Sequence, residues 1–141
     1  MRVLAICAVC ALVMSADASA QSAASCDRAC LEGMLDQYVG ALVAHDRSRL
    51  PLAPSVKFTE NGQRLALGDG LWHTVTGTGG YALRVADIEA GQAALMGTIR
   101  GADTPTIFVL RLKVVDGRIT EVGMDSGWST WEEAMSSRPR W

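Results

Sequence analysis

Apolar residues first recur at helical spacing about thirty residues into the chain. The members of this stripe follow one another at intervals of four, three, four and three residues: Leu31, Leu35, Tyr38, Leu42 and His45. Such spacing marks one face of an α-helix. Ser25 or Asp27 can cap its start, and Pro51 and Pro54 prevent continuation. We therefore predict a helix from about Asp27 to Ala44.

The next segment alternates between apolar and polar residues, as a β-strand does. Residues 56–60 and 63–67 are separated by Asn61-Gly62, a strong signal for a two-residue hairpin turn. Gly68-Asp69-Gly70 ends the second strand, and Leu71-Trp72 leads into a short helix or loop. A hairpin must rest its apolar face on another element, and the predicted helix is the nearest one.

Four further strands are indicated, at residues 81–87, 92–100, 106–115 and 118–124. Turn signals separate them at residues 90–91, 101–105 and 116–117. The run Gly77-Thr78-Gly79-Gly80 before the first of these strands is predicted to be a flexible link.

The last hairpin predicts which side chains share a face. A two-residue turn at Asp116-Gly117 pairs Leu112 with Glu121, and side chains alternate between the two faces. Glu121 is then expected among apolar neighbours: Phe108, Leu110, Leu112, Val114 and Ile119. Arg111 and Lys113 fall on the opposite face. An acid on an apolar face needs a partner, a pocket or water.

One helix followed by a run of strands predicts an α+β domain at residues 21–124. In this domain the long N-terminal helix packs on a curved antiparallel sheet and leaves a pocket at the open end. Residues 125–141 form a separate tail. Ser129 or Thr130 could cap a helix of one or two turns in it, over residues 131–135. The tail's tryptophans either dock on the sheet or belong to a frayed end.

Residues 1–20 have the pattern of a secretory signal peptide. Arg2 precedes an apolar run from Val3 to Met14 that is too short to span a bilayer, and Ala18-Ser19-Ala20 is a typical cleavage site. We predict cleavage, a mature start near Gln21, and a secreted or periplasmic protein with no membrane association after cleavage. An uncleaved anchor is the less favoured alternative.

Of the four cysteines, Cys7 and Cys10 lie in the predicted signal, which leaves Cys26 and Cys30. A lone pair in an oxidising compartment usually forms a disulfide, and helical spacing of four residues puts the Cα atoms about 6 Å apart. A redox or metal site is the alternative. No His or second Cys pair completes a ligand set, so we predict a disulfide and no metal site.

The charge of the chain and the absence of known sequence motifs argue against several classes of function. The 141-residue chain carries a net charge of −2. It has no basic field for nucleic acid and no Lys/Arg cluster for lipid head groups. No nucleophile elbow, phosphate loop or dinucleotide fingerprint occurs, so we predict no cofactor. The reaction type that remains as a prediction is metal-free acid–base chemistry on a small hydrophobic molecule.

Four segments of the chain are similar to a known family: residues 26–31 (CDRACL), 50–54 (LPLAP), 58–63 (FTENGQ) and 67–72 (LGDGLW). They resemble a family of small secreted SnoaL-like domains of unknown function from fungi and bacteria. Residues 38–46 also resemble the first helix, and its exit, of the nuclear transport factor 2-like superfamily. The resemblance covers about residues 26–122, and the tail departs from it after Glu121-Val122.

The resemblance implies a cone-shaped barrel, also called cystatin-like. The superfamily includes isomerases, dehydratases, cyclases, epoxide hydrolases and lyases, and also members that only bind a ligand. Its active members commonly place a carboxylate, a His and a Tyr along the cone. Fold alone does not settle function.

Three residues are candidates for catalysis. Glu121 is the predicted base, because desolvation on an apolar face would raise its pKa. His73, just after the hairpin, is the predicted acid or orienting donor, with a solvent-facing loop residue as the alternative. Tyr38 is a polar contact for the ligand, or packs in the core.

Four more residues are predicted to line the pocket: Glu60, Trp72, His45 and Leu112. Glu60 shares a face with Phe58, although acids beside turns are usually solvated. Trp72 either lines the pocket or packs in the hydrophobic core. For His45 we favour a role at the helix C-terminus over direct contact with a ligand.

The function predicted from the sequence is that of a secreted SnoaL-like domain with a small-molecule pocket. If it is an enzyme, we expect a cofactor-free lyase, isomerase or hydrolase. The alternative is a non-catalytic binding or dimerisation module, in which the face carrying Val109, Arg111 and Lys113 forms a sheet-to-sheet contact in a homodimer.

Overall fold

The computed structural model describes residues 26–101 and 104–127. The predicted signal peptide and the predicted short helix over residues 131–135, with the tail's tryptophans, lie outside these residues. Among the residues described, no helix has the length and apolar character needed to cross a membrane.

The predicted helix is confirmed as α1, Arg28–Val43. The Asp27 carboxylate caps it by accepting from the Cys30 N–H at 2.9 Å. A disulfide joins Cys26 to Cys30 across the first turn, with a Cα–Cα distance of 5.2 Å, as predicted. The predicted stripe forms the buried face of α1: Leu31, Leu35, Tyr38 and Leu42 are fully buried, joined by Ala41. The helix therefore packs on the sheet through the face that its sequence pattern marks.

The sheet has six strands: β1 Leu52–Glu60, β2 Gln63–Leu65, β3 Val75–Asp87, β4 Gln92–Gly101, β5 Thr104–Val115 and β6 Arg118–Gly127. Their order is β2-β1-β6-β5-β4-β3. Neighbours run antiparallel except β1 and β6, which are parallel. The predicted fold class, α+β with one long helix on a curved sheet, is confirmed, and the parallel pair is the one departure from an antiparallel sheet.

Both predicted hairpin turns are confirmed. Asn61 and Gly62 have φ values of 48° and 74°, and Asp116 and Gly117 have 50° and 69°. Left-handed backbone at both central residues is the requirement of a type I′ turn.

The predicted flexible link at residues 77–80 is wrong, because these residues belong to β3. The β3–β4 pairing is irregular between Thr78 and Ala82. A Cβ at Gly79 would collide with the Thr98 side chain on β4. The glycines therefore permit a close strand approach and an irregular register rather than a loop.

The predicted register of the last hairpin is also wrong beyond its first pairs. Val114 does pair with Ile119, but Lys113 pairs with Glu121, so Thr120 is an extra residue in β6. Such a bulge changes the alternation of faces. Ile119 and Val122 both point into the core, whereas Glu121 lies on the outer face instead of among the apolar residues.

Two short 3₁₀ helices complete the fold: η1, Arg47–Arg49, and η2, Gly70–His73. Glu60, at the end of β1, fixes η2. Its two carboxylate oxygens accept from the Leu71 N–H at 3.2 and 3.1 Å. A Cβ on residue 70 would overlap this carboxylate, and Gly70 has a φ of 65°, so only glycine suits the position.

Burial raises the pKa of Glu60 above its ordinary value of 4.5, and the Leu71 N–H partly opposes the rise. The folded state thus holds the Glu60 proton to higher pH than the unfolded chain does. Its contribution to stability is greatest at low pH and declines as pH rises from about 4.5 through the raised pKa. We expect Glu60→Gln, which keeps an oxygen acceptor but cannot titrate, to remove this decline.

The measurement is the free energy of unfolding from urea titrations at several pH values between about 4 and 7. Glu89→Gln is the matched control, since Glu89 is exposed in the β3–β4 turn and carries the same charge. A Glu60→Gln profile that parallels that of Glu89→Gln would contradict the prediction.

Candidate functional site

The end of α1, η1 and the segment leading into η2 together form a cavity of about 440 Å³, which we call the helix-exit pocket. Its lining combines ionisable, aromatic and aliphatic side chains: His45, Arg47, Ala66, Leu67, Gly68, Asp69, Trp72 and His73. Three of the residues predicted from the sequence, His45, Trp72 and His73, therefore share one pocket.

The geometry of the helix end places His45 at the wall of the pocket. The Asp46 N–H donates to the Ala41 carbonyl at 3.0 Å, and the His45 N–H donates to the Leu42 carbonyl at 3.1 Å. These two bonds form a Schellman motif, in which the residue in the position of His45 usually is glycine. His45 has a φ of 53°. A side chain there costs roughly 1–2 kcal/mol of backbone strain.

Trp72 links the helix to η2 through two hydrogen bonds. Its indole Nε1–H donates to the Tyr38 hydroxyl at 3.1 Å, and its backbone carbonyl is hydrogen-bonded to the His45 Nδ1. The Tyr38 and Trp72 rings meet edge to face, with centroids 5.5 Å apart. The pocket wall thus consists of side chains that hold one another in place.

Tyr38 is fully buried, and burial raises its pKa well above the ordinary range, so the hydroxyl stays protonated. Its oxygen accepts from Trp72, and Tyr38 does not line the helix-exit pocket. This arrangement favours the packing alternative for Tyr38. Its catalytic role stays a prediction.

His73 and Asp69 lie on the outer side of the pocket. The His73 Nε2 is 3.7 Å from the Asp69 Oδ1, and their side chains are 72% and 57% exposed. An imidazole beside a carboxylate at a pocket mouth can exchange protons with a ligand and with solvent.

Arg47 is a site residue that the sequence analysis did not identify. One guanidinium nitrogen donates to the Leu67 carbonyl at 2.8 Å, beside Gly68. Within the described part of the chain Arg47 takes part in no ion pair. Its neighbour Asp46 is occupied elsewhere: hydrogen bonds from Ser48 lower the pKa of Asp46. Arg47 therefore brings to the pocket a positive charge that is not held in an ion pair, and Asp69 brings a negative one.

Glu121 lies in different surroundings from those predicted. Arg111 donates to its carboxylate at 3.2 Å on the outer face of the sheet. This hydrogen bond, with the charges of Lys57 and Lys113, lowers the pKa of Glu121. Glu121 does not line the helix-exit pocket. The apolar setting that motivated its assignment as base is wrong, and any catalytic role stays a prediction.

The other two predicted pocket residues, Glu60 and Leu112, do not line the helix-exit pocket. Glu60 does not line the helix-exit pocket but anchors η2, which forms part of its wall. Leu112 is fully buried in the core between helix and sheet.

A smaller cavity of about 220 Å³ lies between α1 and β3–β5. An ion pair crosses its lining, because Arg84 of β3 donates twice to the Asp36 carboxylate, at 3.1 and 2.5 Å. Phe108 and Leu95 form part of its apolar floor. This cavity is half the volume of the helix-exit pocket and holds no histidine.

Comparison with solved structures identifies the fold. A protein of unknown function with a cystatin-like fold from Methylobium petroleophilum matches with a TM-score of 0.59 and 16% identity, over 82% of this chain and 85% of that chain. An NTF2-like protein of unknown function from Cytophaga hutchinsonii matches with 0.54 and 9%, over 69% and 89%. A candidate isomerase from Bacillus subtilis matches with 0.52 and 10%, over 77% and 94%.

No family model and no curated protein matches the sequence. The narrower resemblance to small secreted domains of fungi and bacteria therefore stays a prediction. At identities this low, the structural matches speak for the fold alone. The chain has the nuclear transport factor 2-like, or cystatin-like, fold.

Proposed function

We propose that this chain is an exported small-molecule-binding protein whose ligand occupies the helix-exit pocket. The observation that carries the proposal is the convergence of two histidines, from the helix end and from η2, on one concave cavity. Its volume of about 440 Å³ is in the ordinary range for ligand pockets. Ala66 and Leu67 offer apolar surface for the body of a small hydrophobic ligand, and the buried Trp72 lies behind them in the wall.

We further propose that the site performs cofactor-free acid–base chemistry of the lyase, isomerase or hydrolase type. His73 would act as the acid or orienting donor, and its Nε2 lies 3.7 Å from the Asp69 carboxylate at the pocket mouth. The structural match named a candidate isomerase supports this class only by analogy of fold.

Filling the pocket tests the proposal. Ala66 lines the helix-exit pocket and is exposed. Ala66→Phe should therefore occupy ligand volume while leaving both histidines and Arg47 in place. We expect the small molecule that co-purifies with the wild-type chain, identified by native mass spectrometry, to bind at least about tenfold more weakly to this variant.

The matched control is Ala90→Phe, the same change in the exposed turn between β3 and β4. It should leave ligand occupancy unchanged. Equal retention of the ligand by both variants would place the binding site elsewhere and overturn the proposed function.

Export rests on the signal pattern of residues 1–20 and is supported by the Cys26–Cys30 disulfide, a bond typical of oxidising compartments. We expect the intact mass of the chain recovered outside the cytoplasm to match a start near Gln21 with both cysteines oxidised. A recovered chain that retains residues 1–20 would contradict cleavage.

A second candidate function is that of a dimerisation module, favoured by apolar side chains on the outer face. Leu83, Met96 and Val109 lie in register across β3, β4 and β5 and are 49%, 42% and 39% exposed. Arg111 and Glu121 form an ion pair beside this row. A second copy laid on the row would cover apolar surface that otherwise faces water.

For this alternative, light scattering after size exclusion should give a dimer mass for the wild type and a monomer mass for Met96→Glu. The introduced charge would be desolvated in the contact. Gln63→Glu, on exposed β2, adds the same charge away from the row and should remain a dimer. A monomeric wild type at every concentration tested would rule out the module.

A further inference from the structure

The strained backbone of His45 suggests that its side chain serves a purpose other than ending the helix. Glycine is the residue that satisfies a Schellman motif without cost. A left-handed residue with a side chain persists when the surrounding structure requires it, and such residues cluster at functional sites. The side chain of His45 reaches the helix-exit pocket, where it lies with Arg47, Asp69 and His73.

The hydrogen bond to Trp72 determines which nitrogen of His45 carries the hydrogen. The partner is a backbone carbonyl, which can only accept, so the His45 Nδ1 must be the donor. In the neutral ring the Nε2 then has a free lone pair. The carbonyl also orients the ring, as a carboxylate or carbonyl does for other basic histidines.

Arg47 indicates which chemical group the ligand carries. It belongs to the same pocket, is held by the Leu67 carbonyl through one of its five N–H groups, and forms no ion pair with the described residues. A guanidinium with free donors in a concave site is suited to bind a carboxylate.

We propose that the helix-exit pocket takes a small organic carboxylate, bound at Arg47, and that the His45 Nε2 accepts a proton from it. This inference rests on the proposed function, whose site it specifies. One proton leaves an acidic C–H or O–H of the ligand for Nε2, and the electron pair of the broken bond stays on the ligand. Return of that proton to another ligand atom completes an isomerisation without a co-reactant.

The tautomer is tested first, by long-range ¹H–¹⁵N correlation of the imidazoles in the full chain at a pH where both rings are neutral. The chain contains two histidines, so His73→Gln assigns both signals. His45 should carry its hydrogen on Nδ1. His73 is the internal reference, and its Nε2, which faces Asp69, should carry the hydrogen. A His45 ring with its hydrogen mainly on Nε2 would overturn the proton-accepting assignment.

The carboxylate is tested with benzoate and its neutral counterpart, benzyl alcohol, as probes. Benzoate should shift the signals of both histidines and bind about tenfold more tightly than benzyl alcohol. Arg47→Gln should remove that preference, and Arg47→Lys should restore part of it. Arg49→Gln is the matched control, since Arg49 pairs with Asp46 and does not line the pocket.

Equal binding of the two probes, no saturable binding of benzoate, or equal losses in Arg47→Gln and Arg49→Gln would each overturn the carboxylate assignment. The proposed function is judged separately. If Ala66→Phe releases the natural ligand while benzoate has no advantage, the pocket binds a different class of molecule. If Ala66→Phe retains the ligand, the site itself is misplaced.

Discussion

The attachment of Trp72 at two points is the constraint on which the site depends. Its indole N–H is buried and needs an acceptor, which the Tyr38 hydroxyl supplies, while its backbone carbonyl holds the His45 ring. Tyr38 lies on the buried face of α1, and His45 lies two residues beyond the end of that helix, so α1 and its exit together supply both partners. The stripe that packs the helix on the sheet therefore also determines where η2 docks and where the pocket lies.

Much of the fold could be predicted because its signals are local. The helix follows from residue spacing, and the two type I′ turns follow from Asn61-Gly62 and Asp116-Gly117. The pocket residues His45, Trp72 and His73 could be named because they stand where a helix and a hairpin end. Their contacts were not predictable, since the bond between His45 and Trp72 joins residues 27 positions apart.

Each prediction that was wrong or missed has a physical cause. Counting alternate residues cannot detect the extra residue Thr120, which moves Glu121 to the outer face and beside Arg111. Gly77–Gly80 resembles a linker by composition, but the contact between Gly79 and Thr98 of β4 makes it part of a strand. Arg47 was missed because its position depends on the Leu67 carbonyl, twenty residues further along the chain.

Several unusual local features lie close together around η2. No polar or charged residue is fully buried within the described ranges, so the body of the sheet has a conventional apolar core. Around η2, in contrast, His45 occupies a glycine position, Gly70 has left-handed backbone, and burial raises the pKa of Glu60. The left-handed backbone carries a cost at His45, which has a side chain, and burial of the Glu60 carboxylate opposes its ionisation. Natural chains keep such local violations mainly where function requires them. The helix-exit pocket and both histidines lie at this same end of the fold. The strained or desolvated residues therefore lie beside the residues that are candidates for acid–base chemistry.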